Sequence, residues 1–365
     1  MRHIVVIDNE TLSGYLFRKE ILAGFLSEGY KVTFVGEPRG YVQELETMGC
    51  RVIPVQTRRR GVNPFQDAYL FCRYLAILVR LKPEAVLTYT IKPNIYGGLA
   101  CRLLRIRYYP KITGLGSPLF YPGLLQRLTS FLYKLGIGNA TTVFFQNTSN
   151  EQFFRQRKLL SNRSCVVLLP GSGVNLQQHR FETYLEEQRN LRLLVISRLM
   201  RDKGIDEILS AARKIKGEYP EVIFRLIGNY DGNYEEKIDA AVHDGIIEFM
   251  GRVSDVHSYI KNSHAVVHAS YHEGMSNVLL EGAACGRPVI ATDIPGCRET
   301  FVDGISGIAC QPQNVDSLVS AIRAFIELPH AQKREMGLQG RKRMECQFDR
   351  RIVFEKYIRE IERHT

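Results

Sequence analysis

Short apolar runs alternate with longer stretches of helical period along the whole chain. In the first half the runs are HIVVID (3–8), KVTFVG (31–36), RVIPVQ (51–56), EAVLTYT (84–90), TTVFFQN (141–147) and CVVLL (165–169). Amphipathic segments such as Leu16 to Glu28 and Ala68 to Arg80 lie between them. Apolar runs of this length, spaced by helices, predict a mostly parallel, doubly wound sheet. The turn-forming cluster LPGSGVN (169–175) and a polar stretch from Gln177 to Asn190 then break the alternation. It resumes with LRLLVIS (191–197), EVIFRLIG (221–228), IIEFMG (246–251), AVVHAS (265–270), RPVIAT (287–292) and GIAC (307–310), with helical stretches such as Asp206 to Lys216 between. A chain of 365 residues exceeds the usual single core. The pattern therefore predicts an α/β protein of two Rossmann-like domains, 1–170 and 171–346, facing a central cleft that is the default ligand site. Phe348, Ile352, Tyr357 and Ile361 give segment 347–365 a helical period, so it is expected to complete the first domain as a closing helix.

Composition places the chain among folded globular proteins, with 45% apolar and 24% charged residues. MRHIVVID opens directly on a strand-like run, without the basic and long apolar regions of a signal peptide. No stretch approaches the roughly 18 uninterrupted apolar residues of a membrane span. The eight cysteines are scattered, with no C-x-x-C pair, and read as reduced thiols. The expectation is a cytoplasmic protein that meets a membrane only from its surface. Charge sharpens that picture. Residues 1–170 carry 23 Lys and Arg against 10 Asp and Glu, or +13, and residues 171–365 carry 26 against 28, or −2. Arg58 to Arg60, then Arg102, Arg105, Arg107 and Lys111, then Arg155, Arg157 and Lys158 form the basic clusters. Each alone is ordinary solvated charge. Together they point the first half at something anionic: phosphates, nucleic acid or an acidic leaflet.

The candidate chemistry lies in the second half. HEGMSNVLLEGAACGRPVIAT (272–292) follows a predicted strand with a turn and a helix, so Gly274, Met275, Ser276 and Asn277 form a helix N-terminus suited to an anion. Glu281 sits about a turn further in, among Val278, Leu279, Leu280, Ala283 and Ala284, where a carboxylate needs partners and a ribose diol supplies them. Glu273, nearer the anion, suits the hydroxyls of a second, phosphate-linked sugar. Two polyol-binding carboxylates around a phosphate turn describe a nucleotide sugar. Upstream, SRLMRDKG (197–204) places Arg198 after a strand and Lys203 before a helix, a fork and a point charge for a diphosphate. The alternative for each of these charges is a solvated surface.

SRLMRDKG, LIGNY (226–230), GRVSDV (251–256) and SYHEG followed by LEGAACG and PVIATDIPG together resemble the donor half of retaining glycosyltransferase family 4, whose fold is GT-B. Glu273 and Glu281 stand where that family has its paired glutamates. Ala269-Ser270 replaces the family's usual Pro-Ser, and Glu281-Gly282 its Glu-Ala. In the first half, YLFRKEIL, RRRGVNPF, LTYTIKPNIYGGLA, KITGLGS and PGSGVNL look like the members that extend undecaprenyl-diphosphate-linked saccharides in polysaccharide and glycan assembly.

The resemblance implies a retaining transfer from a UDP-sugar, with no nucleic acid partner and no resident cofactor. Metal independence is expected, since no D-x-D loop is present. The implied roles are catalytic for Arg198, Lys203 and Glu273, and donor-binding for Gly14, Gly274, Met275, Ser276, Asn277 and Glu281. The backbone amides of 274–277 are expected to share the leaving diphosphate's charge with Arg198 and Lys203. Arg18, the Arg58, Arg59 and Arg60 triplet and Lys92 are the candidates for the acceptor diphosphate, at an anionic membrane surface. After the fourth strand the chain has Thr88, Tyr89 and Thr90 where many members place a His or Asp. The rival readings are a UDP-N-acetylglucosamine 2-epimerase of the same fold and a non-catalytic nucleotide-sugar-binding subunit. The run YPGLLQRLTSFLYKLG (121–136) puts Leu124, Leu125, Leu128, Phe131, Leu132 and Leu135 on one helical face, to be met either by a membrane or by the domain's own core.

Overall fold

The structure is a computed structural model that describes residues 2–57, 63–161, 164–188 and 190–364. It divides into two compact units, Met1–Ser172 with Arg350–Thr365, and Gly173–Asp349. The joint thus falls two residues beyond the position the turn cluster suggested. The closing helix, Arg350–Arg363, lies with the first unit.

The first unit is built on seven parallel strands: β1 (His3–Glu10), β2 (Lys31–Glu37), β3 (Arg51–Pro54), β4 (Ala85–Tyr89), β5 (Arg107–Ile112), β6 (Thr142–Phe145) and β7 (Cys165–Leu168). Their order is 3-2-1-4-5-6-7, with Ile4 opposite Val32 on one side and Ala85 on the other. The sheet is covered on both faces, which is why its strands read as continuous apolar runs. One face packs Val5, Ile7, Val86 and Phe145 under Tyr74, Leu78 and Tyr133, and the other packs Ile4, Val6, Leu87 and Phe144 under Phe25, Val353 and Tyr357. Asn63 starts the helix Pro64–Leu81 by accepting from the amides of Phe65 and Gln66, with Pro64 in the first turn, where its missing N–H does no harm.

β5 is absent from the predicted strands. Its sequence, RYYPKI, carries Pro110 and Lys111 in a central position that normally excludes both. Lys111 is 1% exposed, and its ammonium donates to the Gly171 carbonyl (2.9 Å) and the Ser172 hydroxyl (3.2 Å).

The second unit carries six parallel strands: β8 (Arg192–Ile196), β9 (Ile223–Ile227), β10 (Glu248–Phe249), β11 (Ala265–His268), β12 (Val289–Thr292) and β13 (Gly307–Cys310). The order is 10-9-8-11-12-13, and all six coincide with predicted runs. Helices Ile205–Glu218 and Val315–Glu327 bury Ile208, Ala212, Ile215, Leu318 and Ile322 against one face of this sheet. Among the described residues no helix is long and apolar enough to cross a membrane.

Candidate functional site

In the second unit the chain runs outward from β8 through β9 to β10, then returns to start again at β11 on the other side. Ligands of open α/β sheets bind beyond the carboxyl ends of strands at such a reversal. Arg198 and Lys203 follow β8, and Glu273 to Asn277 follow β11, so the residues singled out in sequence border this switch point.

The local backbone explains how they meet. After β8 the chain makes a short turn, Arg201–Lys203, and enters its helix through Gly204 at φ +68°. A Cβ at Gly204 would stand 2.1 Å from the Ala269 carbonyl oxygen, so conformation and proximity both demand glycine. The Asp202 carbonyl accepts from the Tyr271 amide at 2.9 Å and from the Ser270 hydroxyl at 3.2 Å, stitching the two loops together. Lys203 is thereby held in an ion pair with Glu273. His268, the last residue of β11, places Nε2 3.0 Å from the same carboxylate oxygen.

Burial desolvates Glu273 and by itself would raise its pKa. The Lys203 charge and the His268 hydrogen bond more than offset this and hold the carboxyl well below the usual range. Arg198 is paired in turn with Asp231, in the loop after β9, at 2.5 Å. That pair is more exposed, at 42% and 19%, and contributes little to stability by itself. Both predicted cations therefore face carboxylates at the site. Asp231 and His268 were missed in sequence, since an isolated loop Asp and one His closing an apolar strand carry no periodic signal.

Helix Asn277–Ala284 starts at Ser276, whose side chain makes no capping hydrogen bond. The Ser276 hydroxyl, on a residue 3% exposed, and the Asn277 side-chain carbonyl oxygen are both buried without a partner. Unpaired buried polar groups are rare and ask for a ligand. Two expectations need correction here. The Ser276 amide donates to the Gly296 carbonyl at 2.8 Å, so it is not among the amides turned to a diphosphate. Met275 is 7% exposed and packs its side chain with Val174, Leu280, Ala284, Met344 and Phe348, leaving only its backbone for the turn. Gly274 is buried in the bend between Glu273 and Met275. Glu281 is half-buried, with His179 Nε2 4.0 Å away. Gly282, where alanine was the common residue, brings the helix onto β11: a Cβ there would meet Val266 Cγ2 at 2.8 Å.

The acceptor-side expectations fare differently. Arg18 is a correction: it is 5% exposed, ion-paired with Asp8 at 2.8 Å, bonded to the Ser13 carbonyl and stacked on Tyr89. Its charge serves the interior of the first unit. Gly14 is likewise a packing residue, since a Cβ would fall 2.4 Å from the Phe34 ring. Arg58, Arg59 and Arg60 lie outside the described residues. Lys92 stands after β4, paired with Asp67 at 2.8 Å and about 15% exposed. Thr90, also after β4, has φ +69°, a region a β-branched residue enters only under strain.

Helix Leu124–Ile137 buries Gln126, Thr129, Tyr133 and Gly136 and turns Leu124, Leu125, Leu128 and Phe131 outward. Leu124 is 83% and Phe131 58% exposed, with Leu125 and Leu128 also in solvent. The face is divided: Leu132 packs against the first unit's core, while Leu124, Leu125, Leu128 and Phe131 are left uncovered. Leu128 and Leu132 continue into a cavity of about 740 Å³ with Phe71, Tyr96, Leu99 and Leu103.

Residues 177–343 match the model of the glycosyl transferases group 1 family, and residues 6–147 match that of the glycosyl transferase 4-like family. The chain belongs to the family 4-like GT-B glycosyltransferases. This glycosyltransferase is 27% identical over 363 residues to the N,N'-diacetylbacillosaminyl-diphospho-undecaprenol alpha-1,3-N-acetylgalactosaminyltransferase of Campylobacter jejuni, with 94% of each chain covered. It is 24% identical over 335 residues to the capsular polysaccharide biosynthesis glycosyltransferase CapM of Staphylococcus aureus, covering 86% of each. A solved glycosyltransferase from Rickettsia africae shares the fold at a TM-score of 0.80 and 18% identity, covering 99% of this chain and 98% of that one. Anabaena HepE in complex with UDP and glucose does so at 0.77 and 17%, over the whole of both chains.

Proposed function

We propose that this glycosyltransferase moves a sugar from a UDP-sugar to a lipid-diphosphate-linked saccharide, with retention at the anomeric carbon, in bacterial-type glycan or polysaccharide assembly. The sugar is an N-acetylhexosamine, a hexose or a uronic acid. The observation that carries the reading is the edge at β8 and β11. Two cations, a helix N-terminus with unsatisfied buried polar atoms and two carboxylates eight residues apart border one switch point.

In this reading the diphosphate replaces Asp231 as the partner of Arg198 and takes a share of the Lys203 charge. Glu281 accepts from the ribose hydroxyls, and Glu273, held ionised by Lys203 and His268, accepts from the transferred sugar. As the bond to the anomeric carbon breaks, negative charge grows on the leaving diphosphate, where Arg198 and Lys203 stabilise it. The leaving group takes the acceptor proton. The cations supply the charge a divalent ion would otherwise bring, so transfer itself is metal-independent.

The Campylobacter relative, whose name includes a diphospho-undecaprenol acceptor, supports the acceptor class. The outward apolar face of Leu124–Ile137, flanked by Arg127 and Lys134, supports docking on the inner, cytoplasmic leaflet of an anionic membrane. Incubation with radiolabelled UDP-sugars and a lipid-diphosphate saccharide tests the whole reading. Label in the lipid fraction with an unchanged anomeric configuration is the expected result. A UDP-sugar epimer formed without acceptor makes the protein an isomerase, and UDP binding with no turnover makes it a binding subunit.

A further inference from the structure

At the carboxyl end of the helix that carries Glu281, three separate segments bring together side chains that the transfer reaction does not use. His179 follows a turn in which Asn175 accepts from the amides of Gln177 and Gln178. His257 lies in the first turn of helix Val256–Lys261, which Asp255 caps by accepting from the Ser258 amide. Cys285 closes helix Asn277–Ala284 and is fully buried. One ligand atom from each of the three lies within 4.8 Å of the other two.

The second contacts of these groups matter as much. His257 Nε2 is 2.9 Å from the Glu182 carboxylate, and Nδ1 is 3.3 Å from Cys285 Sγ. A carboxylate only accepts, so Nε2 carries the proton, and a neutral ring presents its Nδ1 lone pair to the sulfur. A carboxylate behind a histidine that turns its other nitrogen inward is the usual support of a metal-ligating imidazole. Arg180 and Lys261 fix Glu182 from outside, and Arg341 holds the His179 carbonyl at 3.0 Å.

We propose that His179, His257 and Cys285 bind one borderline-soft divalent cation of the zinc class. Two imidazoles and a thiolate suit such an ion, while magnesium and calcium prefer sets of oxygens. Binding forms two metal–nitrogen bonds and one metal–sulfur bond. The thiol proton leaves to solvent and no electron is transferred. The ion takes no part in sugar transfer. It pins the segments of His179 and His257 to the end of the donor helix at Cys285, and His179 in turn approaches Glu281.

The test uses the full chain with the exposed thiols Cys72 and Cys346 changed to serine. Cobalt(II) is the probe, with zinc as competitor and magnesium as control. One equivalent of cobalt should bring up a thiolate-to-metal charge-transfer band that zinc removes and magnesium leaves alone. Cys285→Ala should abolish the band, and Glu182→Gln should weaken zinc binding about 10- to 100-fold. Absence of the band in the parent, or equal zinc affinity in the parent and Cys285→Ala, overturns the site. If Cys285→Ala does not fold, the comparison passes to melting temperature with and without zinc. A zinc-dependent rise in the parent that His179→Gln loses supports the site, and one that His179→Gln keeps overturns it.

Discussion

Replacing Lys203 with methionine removes an ammonium but keeps most of the aliphatic stem, so it isolates the charge. In the ligand-free protein Glu273 would then be left with His268 alone, on a carboxylate only 15% exposed. Stranding a buried charge costs several kcal/mol, and the residual solvent contact here brings the expected loss of stability to about 1–2 kcal/mol. The larger effect is expected in turnover. A donor that stabilises charge developing in the transition state is worth roughly 100-fold or more in kcat, whereas ground-state binding of UDP should weaken less.

Acid behaviour gives an independent reading of the same pair. In the folded protein Glu273 titrates below its ordinary 4.5, so on acidification the unfolded chain takes up its proton first. Its contribution to stability is therefore whole above pH 4.5 and is lost as pH falls through the folded value. Without Lys203, burial is opposed only by His268, the folded pKa rises, and the acid limb moves to higher pH. Steady-state kcat and KM, UDP calorimetry and urea midpoints across the acid range measure all three effects. Adding Glu273→Gln completes a double-mutant cycle with an expected coupling of about 1–3 kcal/mol. Additive losses within about 0.5 kcal/mol would show that the pair is not a working unit. A Lys203→Met enzyme with normal kcat would refute the leaving-group role.

Glu281→Ala should raise the UDP dissociation constant by about 1–3 kcal/mol in calorimetry, and unchanged affinity with an intact fold would remove the ribose assignment. Asp231→Asn should tighten UDP binding several-fold by releasing Arg198 before the diphosphate arrives, and weaker binding would make Asp231 a positioning residue instead. Gly282→Ala should destabilise by roughly 1–3 kcal/mol, because its Cβ meets Val266 Cγ2, and Val266→Ala should restore most of the loss in thermal melts. Leu124→Glu with Phe131→Glu should abolish binding to anionic vesicles at low salt while leaving transfer to a detergent-soluble, short-tailed acceptor intact. Undiminished vesicle binding would take this helix out of the membrane interaction.

The second sheet was legible because each strand is an apolar run bounded by turn residues, and burial on both faces leaves that trace directly. β5 was not. Pro110 and Lys111 make RYYPKI read as a basic loop, and only the Gly171 and Ser172 partners of the buried ammonium make the strand tenable. Glu273 and Lys203 could be found because each precedes a glycine in the loop after a strand, Arg198 because it follows an apolar run, and Glu281 because apolar neighbours surround it. Their ion partners could not, since Asp231 is brought to Arg198 by the pairing of β8 with β9, and His268 reads as one polar residue closing an apolar strand. Arg18 failed for a related reason: a basic residue on a helix has the same letter whether it faces solvent or Asp8. For Leu124–Ile137, periodicity marked one apolar face correctly but not which side the domain would cover. Gln126 and Thr129 went inward against that trend.

That inverted helix gives the protein two attractions that respond oppositely to salt. Arg127 and Lys134 beside the leucines repel the same face of another molecule and attract an anionic surface, and added ions screen both effects within about 10 Å at 0.1 M. The leucines and Phe131 lose nothing by screening, and excluded salts such as sulfate strengthen their association. Dilute, low-salt solution therefore keeps the molecules apart in water, whereas a sulfate-rich medium favours self-association through the face it has uncoupled from any acidic partner. Light scattering should rise with sulfate in the parent and stay flat once Leu124 and Phe131 are glutamate.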